Sequence, residues 1–247
     1  MIRLKYIYKL YNENNMDELI TFIIPTIGRD TLSKSIYSLI NQTKNKWYAI
    51  VVFDGIKNNL KDILILNDKR IKFIELDEKK GNGINSAGLV RNYGMALVKT
   101  AWIAFLDDDD TLSPKYIETF YKEYELYPNI DVLIFRMKLE NRIVPKIGCN
   151  NFELCDVGIS FIMKTSIFQE HDLCFVADGA EDYLYLDKIR TNGYNMMISP
   201  YVTYFVRQNY QKDKDEKNLG NRVFINPEKN NLITFWAYLL IYQNSIY

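Results

Sequence analysis

Between Thr21 and Asp110 the chain alternates short apolar runs with helical periodicities, and this alternation constrains its fold more tightly than any other feature. Thr21-Phe22-Ile23-Ile24 is rich in β-branched and aromatic residues and is stopped by Pro25. Asp30 and Thr31 then cap a predicted helix whose apolar positions Leu32, Ile36, Leu39 and Ile40 recur at helical spacing. Tyr48 to Phe53 reads as a second buried strand, stopped by Asp54-Gly55. A helical segment near Leu60 to Asn67 leads to a third strand, Ile71 to Leu76. A glycine-punctuated loop, Lys79 to Ser86, opens another helix, on which Leu89, Val90, Tyr93, Ala96 and Leu97 share the expected apolar face. The fourth strand, Trp102 to Leu106, runs straight into four aspartates, Asp107 to Asp110. Four alternations in about 90 residues predict a parallel sheet covered by helices. Ligands of such sheets bind at the carboxyl ends of the strands. Here those ends carry Pro25-Thr26, Asp54-Gly55 and the aspartate run.

Beyond Pro114 the pattern predicts a helix from Lys115 to Tyr127, a strand from Asp131 to Phe135, and then shorter strands and loops from about Pro145 to Arg207. A charged stretch, Gln211 to Arg222, precedes a last apolar segment, Leu232 to Tyr242. That segment is too short for a bilayer span. It is expected to pack as a helix, with a homodimer contact or an interfacial membrane contact as the lesser readings.

Composition removes several classes of function. Lys plus Arg (31) equal Asp plus Glu (31), so the basic excess expected of a nucleic-acid partner is missing. Three cysteines, Cys149, Cys155 and Cys174, have no CxxC spacing and leave one thiol over. This favours a reducing compartment and argues against a cysteine-built zinc site. His171, the single histidine, excludes a multi-histidine metal site and is expected in a loop. The segment Met1 to Tyr11 is interrupted by Arg3, Lys5 and Lys9 and lacks a secretory apolar core. A cytoplasmic location is expected, with peripheral membrane contact as the variant.

The aspartate run is the strongest chemical signal. Four adjacent carboxylates repel one another unless a cation sits among them. An extended chain would point Asp107 and Asp109 to one face and Asp108 and Asp110 to the other. Oxygen ligands of this kind suit Mg²⁺ or Mn²⁺. The plainer alternative is a solvated acidic turn, with Asp110 or Thr111 capping the next helix.

In its context, the stretch Ile103 to Pro114 resembles the strand-plus-DxD segment of family 2 glycosyltransferases with the GT-A fold. Thr21 to Arg29 resembles that family's first strand with its Pro-Thr end, and Val51 to Gly55 its second. Gly88-Leu89-Val90-Arg91-Asn92-Tyr93-Gly94 is similar to its A-R-N-x-G helix. The four motifs stand in the family's order and spacing, and the resemblance runs from about Thr21 to Arg207. It implies an α/β, Rossmann-like, mostly parallel sheet flanked by helices, with a smaller mixed acceptor-side region and a C-terminal helix. The implied division is an outer leader (1–20), a nucleotide-sugar-binding half (21–114), an acceptor and catalytic half (115–210), and a lid-like loop with the last helix (211–247).

The resemblance also implies roles. Pro25, Thr26 and Asp54 would line the nucleoside pocket, with Arg29 and Asp108 in the same donor-binding set. Arg91 would aim at the diphosphate, Asp107 would reach ribose or metal, and Asp109 would hold Mn²⁺ or Mg²⁺ against the diphosphate. Asp54 has a second reading as a strand-end turn, and Arg91 as a surface residue of an amphipathic helix. Gly179-Ala180-Glu181-Asp182-Tyr183 resembles the family's E-D segment, in which the aspartate of inverting members deprotonates the attacking hydroxyl. That role transfers to Asp182, with Glu181 beside it. The alternative is that both acids only enrich a first helical turn. Val157 to Ser160 resembles a segment bordering the sugar pocket. One departure is that many relatives carry a metal-binding histidine after the last core strand, where Tyr204-Phe205-Val206-Arg207-Gln208 has none.

The function implied is metal-dependent, inverting transfer of a sugar from a nucleoside diphosphate sugar, UDP-sugars favoured, to a hydroxyl of a glycan or other acceptor. A dehydrogenase is excluded because Pro25-Thr26-Ile27-Gly28-Arg29, not G-x-G-x-x-G, follows the first strand. A glycoside hydrolase needs two carboxylates but no nucleotide pocket. The rival of another class is a non-catalytic nucleotide-sugar-binding or scaffold protein that retains the fold.

Overall fold

The computed structural model describes residues 20–55, 68–81, 87–171, 173–176, 179–207 and 221–225. The expected leader, the helical segment near Leu60 to Asn67, most of the Lys79–Ser86 loop, the charged stretch up to Gly220 and the apolar C-terminal segment lie outside those residues.

Strand β1 (Ile20–Thr26) is buried along its whole length, as its unbroken apolar run requires of a strand covered on both faces. β2 (Trp47–Phe53) lies parallel to it on one side, and β3 (Ile71–Glu75) lies parallel to β2 at the sheet's edge. β4 (Trp102–Phe105) flanks β1 on the other side, again parallel. Helix α1 (Leu32–Ile40) buries Leu32, Ser35, Ile36 and Leu39, the face its periodicity predicts.

Helix α2 (Ala87–Met95) departs from expectation. It buries Gly88, Val90, Arg91, Gly94 and Met95, while Leu89 is half-buried and Tyr93 and Ala96 are exposed. The packed face includes two glycines, and at Gly94 the helix backbone presses on β1: a Cβ there would stand 2.6 Å from Ile23 Cγ2. Hydrophobicity alone cannot mark a face whose packing depends on missing side chains.

The second half continues the same sheet. In order come β5 (Thr111–Leu112), α3 (Tyr116–Leu126), β6 (Val132–Leu139), β7 (Arg142–Val144), β8 (Phe161–Lys164), α4 (Thr165–His171), α5 (Glu181–Thr191), β9 (Met196–Phe205) and β10 (Val223–Ile225). The sheet order is β10-β9-β6-β8-β4-β1-β2-β3, with β5 on β9 and β7 on β6. β8 runs antiparallel to both β4 and β6 and so joins the halves; β6 and β9 are parallel. The sheet is thus parallel in its first half, as expected, and mixed beyond.

Two expectations are corrected here. β9, at ten residues, is the longest strand described, where only short strands were expected. His171 ends helix α4 rather than lying in a loop. Irregular register between β6 and β9 after Ile134 lets the far end of β9 also pair with β5, Phe205 opposite Thr111. That pairing brings Tyr204 and Arg207 to the aspartates. No helix among the described residues is long and apolar enough to cross a membrane.

Candidate active site

All ten residues singled out from the sequence line one cleft of about 340 Å³. Pro25 and Thr26 come from the end of β1, Asp54 from the end of β2, the aspartates from the end of β4, and Glu181 and Asp182 from the first turn of α5. Topology therefore does what the strand-end rule requires.

The aspartates form a turn instead of an extended segment, with Asp110 N–H donating to Asp107 O at 3.2 Å. Their mutual repulsion is answered individually. Asp108 is almost fully buried and accepts hydrogen bonds from Thr26 Oγ1 (2.6 Å) and Arg29 Nη1 (2.5 Å). Burial raises its pKa, while the hydroxyl and guanidinium pull it back. With one oxygen on Thr26 and the other on Arg29, Asp108 braces the cleft wall that it lines. Asp110 is also buried and accepts from Arg207 N–H (2.9 Å) and the Tyr204 hydroxyl; burial and the nearby Asp107 push its pKa up to about 8. Asp107 N–H donates to the same Tyr204 oxygen at 3.1 Å.

Asp107 and Asp109 face the cleft, 31 % and 19 % exposed. Asp107 Oδ1 accepts from Arg91 Nη2 (2.6 Å), and Asp109 Oδ2 accepts from Arg207 Nε (3.1 Å). Asp107 Oδ2 and Asp109 Oδ1 have no hydrogen-bond partner among the described residues. Two hard oxygens turned to a cleft fit a divalent cation that takes its other ligands from phosphate and water. No group of three or more His, Cys, Asp or Glu side chains among the described residues is arranged to hold a metal ion by itself.

Arg91 departs from its reading as a surface residue. It is 2 % exposed, so it is no surface residue. Its guanidinium lines the cleft and is paired there with carboxylates: Nη1 donates to Glu181 Oε1 at 2.5 Å, Nη2 to Asp107, and Asp182 Oδ1 lies 3.7 Å from Nη1. Burial by itself lowers its pKa, but Asp107, Asp182 and Glu181 more than reverse that, and the group stays charged. Arg91 thus ties the carboxylates of the two halves together.

Glu181 completes the tie. Its other oxygen, Oε2, accepts from Gly88 N–H at 2.8 Å, and a Cβ at position 88 would stand 2.6 Å from that oxygen. Only glycine lets the start of α2 approach so closely. Asp182, the next residue, is 26 % exposed and keeps Oδ1 sealed from solvent without a hydrogen-bond partner. Burial pushes its pKa up to about 7 against the pull of Arg91.

Asp54 fits its reading as a strand-end turn and also reaches the cleft. The carboxylate lines the cleft and also closes the strand-end loop, accepting from Lys80 N–H (2.5 Å) and Gly81 N–H (2.9 Å). The Val157–Ser160 segment does not line the cleft but runs beside it: a Cβ on Gly158 would lie 3.8 Å from Asp182 Oδ2. Sequence reasoning missed Ile27, Lys79 and Arg207, which also line it. Each adjoins a strand end or loop already identified, and following those segments one or two residues further would have found them.

A family profile described as glycosyl transferase family 2 matches residues 21–175, more than half of the chain. The chain belongs to glycosyl transferase family 2. This family 2 glycosyltransferase is 26 % identical to the poly(ribitol-phosphate) beta-N-acetylglucosaminyltransferase TarP of Staphylococcus aureus (strain N315), over 92 % of the present chain and 73 % of TarP. Its fold is similar to residues 1–349 of S. aureus TarS in complex with UDP-GlcNAc, with TM-score 0.64 and 18 % identity, covering 80 % of this chain and 61 % of that one. The mannosyltransferase PcManGT of Pyrobaculum calidifontis, in complex with GDP-Man and Mn²⁺, is similar at TM-score 0.60 and 16 % identity, covering 78 % and 58 % of the two chains. The sheet is the curled mixed sheet of GT-A glycosyltransferases. The profile match ends at residue 175, before α5, and does not reach Glu181 and Asp182.

Proposed function

We propose that this glycosyltransferase moves a sugar, with inversion, from a UDP-sugar to a hydroxyl of a glycan or other acceptor, with Mn²⁺ or Mg²⁺ bound by Asp109 and Asp107. The observation that carries the reading is Asp182: a cleft carboxylate with one oxygen sealed from solvent and without a hydrogen bond, a pKa near neutrality, and Glu181 beside it already committed elsewhere. Glu181 cannot serve as easily, because Gly88 and Arg91 take both of its oxygens.

Asp182 accepts the proton of the acceptor hydroxyl as that oxygen forms its bond to the anomeric carbon. The bond from that carbon to the diphosphate oxygen breaks, and the nucleoside diphosphate leaves. A base with pKa near 7 is half ionised at neutral pH and strong enough to assist attack on an oxocarbenium-like centre. When bound, the divalent ion neutralises charge on the departing diphosphate. Arg91 keeps Asp107 and Asp182 on one rigid frame, so the donor and acceptor ends hold a fixed spacing. Pro25, Thr26 and Ile27 at the end of β1 offer an apolar and hydroxyl-bearing wall suited to a nucleoside. The TarS complex with UDP-GlcNAc and the N-acetylglucosaminyl transfer named for TarP support UDP-GlcNAc as the first donor to test.

The test is donor hydrolysis and transfer across a panel of UDP- and GDP-sugars, with Mn²⁺ or with chelator. Metal-dependent turnover of a UDP-sugar, lost in Asp182→Asn while UDP binding persists, is expected. Turnover by Asp182→Asn equal to that of the parent would move the base elsewhere.

A further inference from the structure

Arg207 is the most unusual residue of the cleft. It follows the end of β9, and its backbone takes φ +51°, one of two non-glycine residues among those described with positive φ. Such a conformation is uncommon for a long side chain and persists only where surrounding contacts fix it. Here the fixing contact is the N–H of Arg207 on Asp110 Oδ1 at 2.9 Å. The result places Nε 3.1 Å from Asp109 Oδ2, on a side chain that is 78 % exposed.

The other arginine near Asp109 is differently placed. Arg29 Nη1 is 3.9 Å from Asp109 Oδ2 but 2.5 Å from Asp108, and it is committed to that buried carboxylate. Arg207 has no second carboxylate among the described residues, and its side chain forms part of the wall shared by the main cleft and a neighbouring one beside Leu139 and Val206. It therefore has room to move and only a solvent-exposed pair to break. Exposed pairs are weak.

We propose that Arg207 is a stand-in cation: its guanidinium holds Asp109 until a divalent ion arrives with the nucleoside diphosphate, then shifts from the carboxylate to the diphosphate. The inference rests on the assignment of Asp109 as the metal carboxylate made above. Metal alone must displace a positive group to reach Asp109 and meets its repulsion afterwards. Metal with diphosphate offers that group a new anionic partner, because two phosphate charges exceed one carboxylate charge. Ion and nucleotide then bind cooperatively, and the reciprocity of linkage requires each to tighten the other equally.

The experiment measures Mn²⁺ binding by the free-ion paramagnetic resonance signal, with and without UDP, for the parent, Arg207→Gln and Asp109→Ala. The substitution at 207 sits on an exposed side chain and leaves the N–H bond to Asp110 in place. Arg207→Gln should bind Mn²⁺ alone about fivefold more tightly than the parent, the upper range for losing an exposed competing cation. Its binding of Mn²⁺ should also depend less on UDP. If Arg207→Gln binds Mn²⁺ alone no more tightly than the parent, while Asp109→Ala loses UDP-dependent Mn²⁺ binding, the stand-in role is wrong and the metal site survives. If Asp109→Ala keeps the parental Mn²⁺ binding with UDP, the metal assignment itself fails, and the stand-in role with it.

Discussion

Arg91 Nη1 and Glu181 Oε1 lie 2.5 Å apart, both side chains buried, and this pair, with Gly88 N–H on the other Glu181 oxygen, fastens helix α2 to the start of α5. Removing the guanidinium would leave Glu181 buried without its counter-charge. Arg91→Leu should therefore lower stability by about 3–5 kcal/mol, the usual cost of breaking a buried ion pair from one side. Urea unfolding measures it. A loss below about 1 kcal/mol would mean that the carboxylates rearrange toward water and that the frame is soft.

Asp109→Ala should abolish the metal dependence of UDP binding, because the diphosphate would then face the remaining carboxylates without a bridging cation. Titration calorimetry with UDP, in Mn²⁺ and in chelator, should give two different affinities for the parent and one for the variant. Equal metal-dependent affinity in both proteins would remove Asp109 from the site.

Asp182→Asn preserves shape and removes only the proton acceptor. Transfer should fall by about two to four orders of magnitude, with UDP affinity nearly unchanged. The parental rate should rise with pH through about 7 and then level, since the base works only when ionised. Stability should move the opposite way. The folded pKa of about 7 lies above the ordinary 3.8, so the folded protein holds the extra proton. The stabilisation from that proton is complete below about 4 and is lost as pH rises through 7. Relative to the parent, Asp182→Asn should therefore be more stable at pH 8 than at pH 5, as thermal unfolding at the two pH values will show.

Tyr204→Phe tests the support under the aspartate turn. The hydroxyl accepts Asp107 N–H and donates to Asp110, so its loss leaves both without that partner. A cost of about 1–3 kcal/mol is expected for buried groups left unsatisfied. Metal-assisted UDP binding should weaken while Mn²⁺-free UDP binding holds. Parental binding in both conditions would show that the turn keeps its shape without the tyrosine.

Ten of the cleft residues were legible in the sequence because most sit at or just beyond a strand end or a helix start, positions that local pattern can locate. Their partners were not. Thr26 and Arg29 bracing Asp108 cross 82 and 79 residues of chain, and Arg91 to Glu181 crosses 90. No periodicity reports such distances. The charge of Arg91 was visible in the sequence and its burial among three carboxylates was not. The face of α2 was misread for a related reason: Gly88 and Gly94 pack by proximity of backbone, which hydrophobicity does not score. β9 was read as short because Pro200 interrupts its apolar run; the ladder to β6 changes register just there, resuming at Val202.

The reversed strand between the halves has a consequence for biosynthesis. During translation, Trp102-Ile103-Ala104-Phe105 emerges and can align beside β1, but its other edge stays unpaired until Phe161–Lys164 has left the ribosome. An apolar strand edge waiting for its partner is a template for intermolecular pairing. Truncated chains ending before Phe161 should thus be the sticky ones, and the yield of soluble protein will depend on how quickly synthesis passes that point.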